Sequence, residues 1–204
     1  GKIYFNHTRI HASRNKEKIL SVVSSIIDDG TFFDGKYSKI CKKGIENFFD
    51  KGYCVLTASG HDALCVALAS IGIKKSDEVI FPVNAYPTAF PIYLSGAQPV
   101  PCDVDRNGQL DPQDLIKKIT KNTKIVVLVH MYGLIGKLDS IRNIIKKHSL
   151  YLIEDCAQSF GSMYRGDFAG TFSDISCFSF YPTKNIGVRG DGGALYTKDK
   201  NHYV

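Results

Sequence analysis

The sequence predicts an α/β fold: a seven-stranded, mostly parallel sheet with helices on both faces. Short apolar runs alternate with segments of helical periodicity, and strands separated by helices are joined by parallel crossovers. The run KIVVLV, which opens the strand candidate at 124–130, is apolar throughout rather than alternating. Such a run is typical of a strand that helices cover on both faces.

Seven segments have the length and the β-branched or aromatic content of strands. In chain order they are 53–57, 78–81, 99–102, 124–130, 150–154, 175–180 and 193–197. Helical patterns separate several of these strands and cover residues 61–72, 85–96, 111–122 and 137–149. The second of these patterns contains prolines, which weaken its helical character.

Two further helical patterns precede the first strand, at 14–30 and 38–52. Each carries apolar residues at helical spacing and ends at glycine, a normal stop signal. The chain has 204 residues with 44% hydrophobic and 23% charged content, which suits one globular domain and excludes disorder. We therefore expect a single domain over 1–204 that includes an N-terminal helical segment of about 1–52.

The charge pattern, the cysteines and the lengths of the apolar stretches indicate which partners and which cell compartment to expect. The net charge is +6, but the basic residues form no stripe interleaved with aromatics, so we expect no nucleic-acid partner. The six cysteines are scattered without a CxxC pair and are expected to stay reduced. No apolar stretch approaches the ~20 residues that span a bilayer, and the N-terminus lacks a signal-peptide core. We expect a cytoplasmic protein without a membrane partner.

Ligands of open α/β sheets bind beyond the carboxyl ends of the strands, so polar residues at these positions are site candidates. The strand at 53–57 leads through Gly60 and His61 into a helix, whose free N–H groups and positive end suit a phosphate. An ordinary helix cap by Ser59 or Asp62 explains the same residues. Taken alone, a single glycine favours this simpler explanation.

Asp155 directly follows the apolar strand at 150–154, and Gln158 lies three residues later. A carboxylate that is largely out of water needs a partner, which can be a metal, a ribose or a protonated ring nitrogen. A structural aspartate that caps the next turn is an equal alternative. Glu154 precedes Asp155, but successive strand residues point to opposite faces, so a catalytic pair of carboxylates is not expected.

Lys184 lies beyond the hydrophobic strand at 175–180, with Ser179 five residues before it. Partial desolvation favours the neutral, nucleophilic amine of such a lysine, whereas an ordinary surface lysine is the alternative. Tyr86 follows the strand at 78–81, where a flat ring can stack on a planar cofactor or simply pack.

The glycines and histidines indicate less about a binding site than the strand-end residues do. The segment RGDGG at 189–193 indicates tight turning or close approach of the backbone to another group. The histidines form no HExxH or comparable cluster, so the sequence gives no support for a metal site. The GxGxxG and GxxxxGK[ST] loops of NAD and ATP enzymes are also absent from the sequence.

Together, five segments resemble the pyridoxal-phosphate-dependent sugar aminotransferases of the DegT/DnrJ/EryC1/StrS family, which have the fold type I architecture. In order, the segments are LTASGHDALCVALASIGIKKSDEVIFPVNAYPTAF, GAQPVPCDVD, LVHMYG, LIEDCAQSFGSMYRGDFAGTFSDISCFSFYPTKN and GDGGALYT. The resemblance covers nearly the whole chain and implies that 1–204 is the family's pyridoxal-phosphate-binding large domain. The family's C-terminal small domain has no counterpart in the sequence, so we expect it to be absent.

The resemblance implies a role in cofactor chemistry for four strand-end residues. Lys184 would link covalently to pyridoxal phosphate and act as the catalytic amine. Asp155 would pair with the pyridinium nitrogen, which lets the ring accept electrons from the substrate. Gln158 would contact the phenolic oxygen of the cofactor, and Tyr86 would stack on the face of its ring.

Binding of the cofactor's phosphate is the second implied role. The phosphate would lie at the helix start near Gly60 and His61, and Ser179 would donate a further hydrogen bond. The family usually has threonine or serine where His61 stands. Imidazole or backbone would therefore replace one hydroxyl contact in this chain.

The implied reaction moves an amino group from an amino acid, usually glutamate in this family, through pyridoxamine phosphate to a nucleotide-linked keto sugar. Such amino sugars enter surface polysaccharides, and the family builds its cofactor site in a homodimer. A related pyridoxal-phosphate-dependent sugar dehydratase, in which histidine replaces the lysine, is an alternative that Lys184 argues against. A noncatalytic or truncated fragment of the fold is a second alternative, motivated by the missing small domain.

Overall fold

Strands and helices alternate along the chain in the computed structural model, which describes residues 8–202. Within these residues the strands are β1 (Tyr53–Thr57), β2 (Glu78–Pro82), β3 (Gln98–Cys102), β4 (Thr123–Val129), β5 (Tyr151–Asp155), β6 (Met163–Tyr164), β7 (Asp167–Phe168), β8 (Ile175–Ser179) and β9 (Gly193–Thr197). The α-helices are α1 (Thr8–Arg14), α2 (Lys16–Asp29), α3 (Lys36–Phe48), α4 (Gly60–Ser70), α5 (Tyr86–Leu94), α6 (Pro112–Lys118) and α7 (Leu138–His148). Short 3₁₀ turns span Met131–Gly133 and Lys200–His202.

Seven of the described strands form one sheet in the order β1-β9-β8-β5-β4-β2-β3. β9 runs antiparallel to both of its neighbours, β1 and β8. Every neighbouring pair from β8 to β3 is parallel. Six strands of this sheet therefore point the same way, which confirms the predicted α/β fold with a mostly parallel seven-stranded sheet.

Helices cover both faces of the sheet, as the apolar strand pattern predicts. On one face, Leu68 of α4 shares a buried cluster with Val127 of β4. On the other face, Ile141 of α7 shares a second cluster with Val126 of the same strand. Because neighbouring residues of β4 enter different clusters, both sides of this strand are buried, which explains its unbroken apolar run.

α3 ties the N-terminal helices to the sheet through a third, aromatic cluster. The ring of Phe49, directly after α3, stacks on Phe178 of β8 with centroids 5.3 Å apart, and it lies 4.7 Å from the ring of Tyr196 in β9. Glu46 of α3 accepts a hydrogen bond from the N–H of Cys54 in the terminal strand β1. In contrast, none of the residues of α2 is buried.

Several local features differ from the sequence prediction. α1 precedes the predicted helix at 14–30, and α3 ends at Phe48, four residues before the predicted glycine stop. α6 ends at Lys118, four residues before the predicted end, because the β-branched Ile119 adopts extended backbone dihedrals. The β6–β7 hairpin was not predicted at all, since each of its strands has two residues and shows no apolar alternation. Its turn is made by Arg165 and Gly166, which have φ of 51° and 94°.

The cysteines carry free thiols, as their scattered spacing predicts. Burial raises the pKa of Cys54 and of Cys102 to about 12, so both thiols stay protonated at neutral pH. In the part of the chain that the structure describes, no helix is long and apolar enough to cross a membrane.

Candidate active site

The predicted site residues lie along the edge of the sheet at which the parallel strands end. They are Gly60 and His61 at the start of α4, Tyr86 at the start of α5, Asp155 at the end of β5, Gln158 just after it, Ser179 at the end of β8, and Lys184 in the following loop. Because β1, β2, β5 and β8 point the same way, their carboxyl ends share this edge.

Asp155 provides the buried carboxylate of this site. The residue is 8% exposed, and its carboxylate accepts hydrogen bonds from the Thr88 hydroxyl at 3.1 Å and from the N–H of Ala157 at 3.0 Å. Burial raises the pKa of Asp155 and outweighs these hydrogen bonds and the charges of Lys184 and His130, which lower it. A positive group placed against this carboxylate would stabilise its charged form.

Lys184 follows β8, the parallel neighbour of the strand that ends at Asp155, and its charge lowers the pKa of that buried carboxyl. The lysine is half-buried. The backbone N–H of Lys184 donates to the carbonyl of Tyr181 at 2.8 Å, and the backbone N–H of Val188 donates to the carbonyl of Phe180 at 2.8 Å. These two bonds close the loop after β8 and keep the lysine near the end of the strand. The structure thus brings together the amine and the carboxylate that the sequence singled out.

The start of α4 packs directly against the ends of β8 and β9. A Cβ atom on Gly60 would lie 2.7 Å from the Cβ of Ser179, and one on Gly193 would lie 2.3 Å from the carbonyl oxygen of Ser59. Only glycine permits this approach, which sets the first-turn N–H groups beside the Ser179 hydroxyl. Ser59 caps the helix by accepting a hydrogen bond from the N–H of Asp62 at 3.1 Å, so the predicted helix cap is also present.

Gln158 is oriented by the turn that follows β4. The N–H of Tyr132 donates to Oε1 of Gln158 at 2.7 Å, so the amide NH₂ group is the end left to donate to a ligand. The turn has left-handed backbone at Tyr132 and Gly133, with φ of 57° and 79°. A Cβ atom on Gly133 would lie 3.0 Å from the Ser162 hydroxyl oxygen, so glycine is required here for both reasons.

Tyr86 presents an open aromatic face at the same edge of the sheet. The residue is 70% exposed, and its ring meets Phe90 edge-on with centroids 6.4 Å apart. Thr88, two residues further along α5, donates the hydrogen bond to Asp155. One helix therefore supplies both a stacking surface and a donor to the buried carboxylate.

Sequence reasoning missed a second buried acidic group, Glu154, and its partner His130. Oε1 of Glu154 lies 2.7 Å from Nε2 of His130, and neither side chain is exposed. The carboxylate also accepts hydrogen bonds from the N–H groups of Gly170 and Phe172 and from the hydroxyl of Ser173, at 2.9–3.0 Å. A glutamate inside an apolar strand, with a histidine ending the preceding strand, was the signal that could have found the pair.

The same pair belongs to a group of potential metal ligands. His130, Glu154 and Cys156 each place one possible ligand atom within 4.8 Å of the others. Both oxygens of Glu154 already accept hydrogen bonds, and burial raises the pKa of the Cys156 thiol well above its usual range. A cation would have to displace these donors and the thiol proton, so the arrangement favours a hydrogen-bonded pair of Glu154 and His130 without a metal.

The strand-end residues fit the pyridoxal phosphate that the sequence resemblance implies. A buried carboxylate suits a protonated ring nitrogen, a half-buried lysine suits the aldehyde carbon, and a glycine-lined helix start suits the phosphate. The open ring of Tyr86 and the amide NH₂ group of Gln158 add a stacking surface and a hydrogen-bond donor.

Comparison with known proteins agrees with this geometry. Residues 13–203 match the DegT/DnrJ/EryC1/StrS aminotransferase family. The chain is 38% identical over 193 residues to the UDP-N-acetyl-3-dehydro-alpha-D-glucosamine 3-aminotransferase of Acidithiobacillus ferrooxidans. These residues are 94% of the chain and 52% of that protein. The crystal structure of S. venezuelae DesV in complex with a ketimine intermediate matches with a TM-score of 0.94 and 32% identity, over 98% of this chain and 55% of DesV. NtdA from Bacillus subtilis with bound cofactor PMP matches with a TM-score of 0.86 and 32% identity, over 93% of this chain and 43% of NtdA.

The chain spans about half the length of these relatives. Within the chain, however, the family match covers all seven strands of the main sheet and every predicted site residue. The similarity of sequence and the similarity of fold therefore extend over the same residues. The chain belongs to the DegT/DnrJ/EryC1/StrS aminotransferase family.

Proposed function

We propose that the protein is a pyridoxal-phosphate-dependent aminotransferase that moves an amino group from an amino acid, glutamate in the simplest case, to a nucleotide-linked keto sugar. The observation that carries this proposal is that the buried Asp155 ends β5 and Lys184 follows the adjacent parallel strand β8, so both lie at the same edge of the sheet. The name of the Acidithiobacillus relative, an aminotransferase of a UDP-linked dehydro sugar, supports the substrate class.

The strand-end residues have complementary roles in this proposal. Pyridoxal phosphate, when bound, supplies an electron-accepting ring that carries the amino group between the two substrates. Lys184 holds the aldehyde carbon of the cofactor and, once released, moves the proton at the substrate carbon. Asp155 keeps the ring nitrogen protonated, and Gln158 donates its amide NH₂ group to the phenolic oxygen. Tyr86 covers one face of the ring and excludes water from it.

The first turn of α4 holds the phosphate in this proposal. The backbone N–H groups of Gly60 and His61 and the hydroxyl of Ser179 are the donors, and the positive end of the helix adds to the attraction. The imidazole of His61 is exposed and stands where relatives commonly carry a hydroxyl. It offers a nitrogen donor to the same phosphate.

Absorbance spectroscopy of the purified protein with pyridoxal phosphate tests the proposal. We expect a visible band that depends on the Lys184 amine and that glutamate bleaches as pyridoxamine phosphate forms. Lys184→Ala should remove the band, whereas Lys198→Ala, at an exposed lysine outside the site, should keep it. Absence of any lysine-dependent band would contradict the proposal. A lysine-dependent band that no amino donor bleaches would instead support a noncatalytic fragment of the fold.

A homodimer, a cytoplasmic location and a product that enters surface polysaccharide are further parts of the proposal. The homodimer is supported by large apolar side chains on the surface, among them Phe33 at 93% exposure and Tyr93 at 72%. Light scattering during size-exclusion chromatography measures the oligomeric state directly. A monomer at all concentrations would contradict this part of the proposal.

A further inference from the structure

The hydroxyl of Thr88 is a buried donor to the carboxylate that ends β5. Thr88 is 1% exposed, and its Oγ1 donates to Oδ2 of Asp155 at 3.1 Å. The backbone N–H of Ala157 donates to the other oxygen, Oδ1, at 3.0 Å. The two oxygens of the carboxylate are thus held by two different donors, one from the distant helix α5 and one from the turn after the strand.

A donor on each oxygen fixes the orientation of the Asp155 carboxylate. A partial rotation about its Cβ–Cγ bond would weaken both hydrogen bonds at once, because their strength depends on distance and angle. An ionised carboxylate accepts up to about four hydrogen bonds, so each oxygen keeps room for a further donor such as the N–H of a protonated ring. Hydrogen bonds to a charged acceptor are stronger than those to a neutral one, so the two donors also favour the ionised form.

Thr88 donates from a helix that is fixed to the sheet. Its backbone N–H donates to the carbonyl of Ala85 at 3.0 Å, and Ile92, one turn further along α5, shares a buried cluster with Val129 of β4. A threonine in a helix commonly turns its hydroxyl back to a carbonyl of the preceding turn. The hydroxyl of Thr88 instead reaches Asp155, 67 positions further along the chain. The donor therefore serves the end of β5 and not the helix that carries it.

We propose that Thr88 is a positioning residue whose hydroxyl holds the ionised Asp155 carboxylate in one orientation for the protonated ring nitrogen of the cofactor. Because Thr88 acts on a bound cofactor through Asp155, this role rests on the proposed function. Without the hydroxyl, Oδ2 would lose a donor at a buried position, where an ionised group depends most on its hydrogen bonds. The carboxylate would then turn more freely and hold its charge less firmly.

Thr88→Val tests the proposal, because valine has nearly the shape of threonine but no hydroxyl. Nitrogen-15 NMR of pyridoxal phosphate labelled at the ring nitrogen reports its protonation, and a titration gives the Kd of the cofactor. We expect the ring-nitrogen signal to move toward that of the unprotonated ring, and the Kd to rise at least about tenfold, as for the loss of a hydrogen bond to a charged group. Thr88→Ser keeps the hydroxyl, so it should keep the wild-type signal and most of the wild-type affinity.

Thr197→Val is the matched control, since Thr197 is also buried and lies at the opposite edge of the sheet. Its hydroxyl donates to the carbonyl of Asp174 at 2.8 Å. This variant should lower the Tm but keep the ring-nitrogen signal and the Kd of the wild-type protein. Asp155→Asn gives the limiting signal for a ring without its carboxylate. If Thr88→Val does not fold, Thr88→Ala decides the outcome, because it also removes the hydroxyl.

The two proposals fail in distinguishable ways. A Thr88→Val protein that, like Thr197→Val, loses stability but keeps the wild-type signal and Kd would show a purely structural role and overturn this inference alone. A Thr88→Ser protein that behaves like Thr88→Val would overturn it as well, because the hydroxyl would then not be the group that acts. A wild-type protein that takes up no cofactor through Lys184 would refute the proposed function and this inference with it.

Discussion

At the scale of single residues, the proposed role of Asp155 in cofactor binding opposes its effect on the stability of the folded protein. Burial raises its pKa above the ordinary value of 3.8, so the folded, cofactor-free protein binds more protons than the unfolded chain above that pH. Stability is then lost as the pH rises from 3.8 through the folded pKa. The carboxylate is retained at a cost to the empty protein, which is typical of a group that serves a ligand.

Asp155→Asn should separate these two properties. The amide has no proton to lose, so we expect the cofactor-free variant to melt at least about 2 °C above the wild-type protein at pH 7. The difference should shrink toward pH 4, and the variant should bind pyridoxal phosphate more weakly. Thermal melts across this pH range and a cofactor titration check both effects, with the exposed Asp167→Asn as control. An equal or lower Tm at pH 7 would contradict the argument.

At the scale of elements, the turn Met131–Gly133 positions Gln158, and Gly133→Ala should weaken both stability and cofactor binding. The substitution places a Cβ atom at a φ of 79° and 3.0 Å from the Ser162 hydroxyl oxygen. We expect a loss of more than about 1 kcal/mol in unfolding free energy and a higher Kd for pyridoxal phosphate, because the Tyr132 N–H moves away from Gln158.

Gly161→Ala provides the control for this prediction. Gly161 also has a positive φ, of 87°, but a Cβ atom there meets nothing within 4 Å. It should therefore lose stability through backbone strain and keep the cofactor affinity of the wild-type protein. Urea unfolding and cofactor titration measure the two quantities. Equal cofactor affinities in both variants would mean that the turn does not position Gln158.

At the scale of elements, only part of the structure can be predicted from the sequence. Strands, helices and strand-end residues follow from local periodicity, and the positions of Asp155 and Lys184 were predicted from it. The insertion of β9 between β1 and β8 was not predictable, since it depends on contacts between distant segments. The pair of His130 and Glu154 was missed for the same reason: each residue is unremarkable in its own strand, and only the parallel register makes them neighbours.

At the scale of the whole molecule, the helix α2 is packed far less closely than the sheet. α2 exposes Leu20, Val23 and Ile27 to 56%, 46% and 62% and has no buried residue, whereas β4 is buried on both faces. We expect the amides of α2 to exchange with solvent at least about a hundredfold faster than those of β4. Hydrogen exchange followed by mass spectrometry at two protein concentrations measures this. Equal protection would mean that another copy or another part of the protein covers the helix.

The placement of β9 also determines when the site can form during synthesis. β1 leaves the ribosome early, but its strand neighbour, β9, is made only after the other strands of the sheet. Gly193 at the start of β9 packs against Ser59. The turn that leads into α4 can therefore make this contact only after β9 has been synthesised. Such long-range pairing delays folding until the distant segment is available. A nascent chain interrupted before β9 would therefore carry Asp155 and Lys184 yet lack the packing of Gly193 against the start of α4.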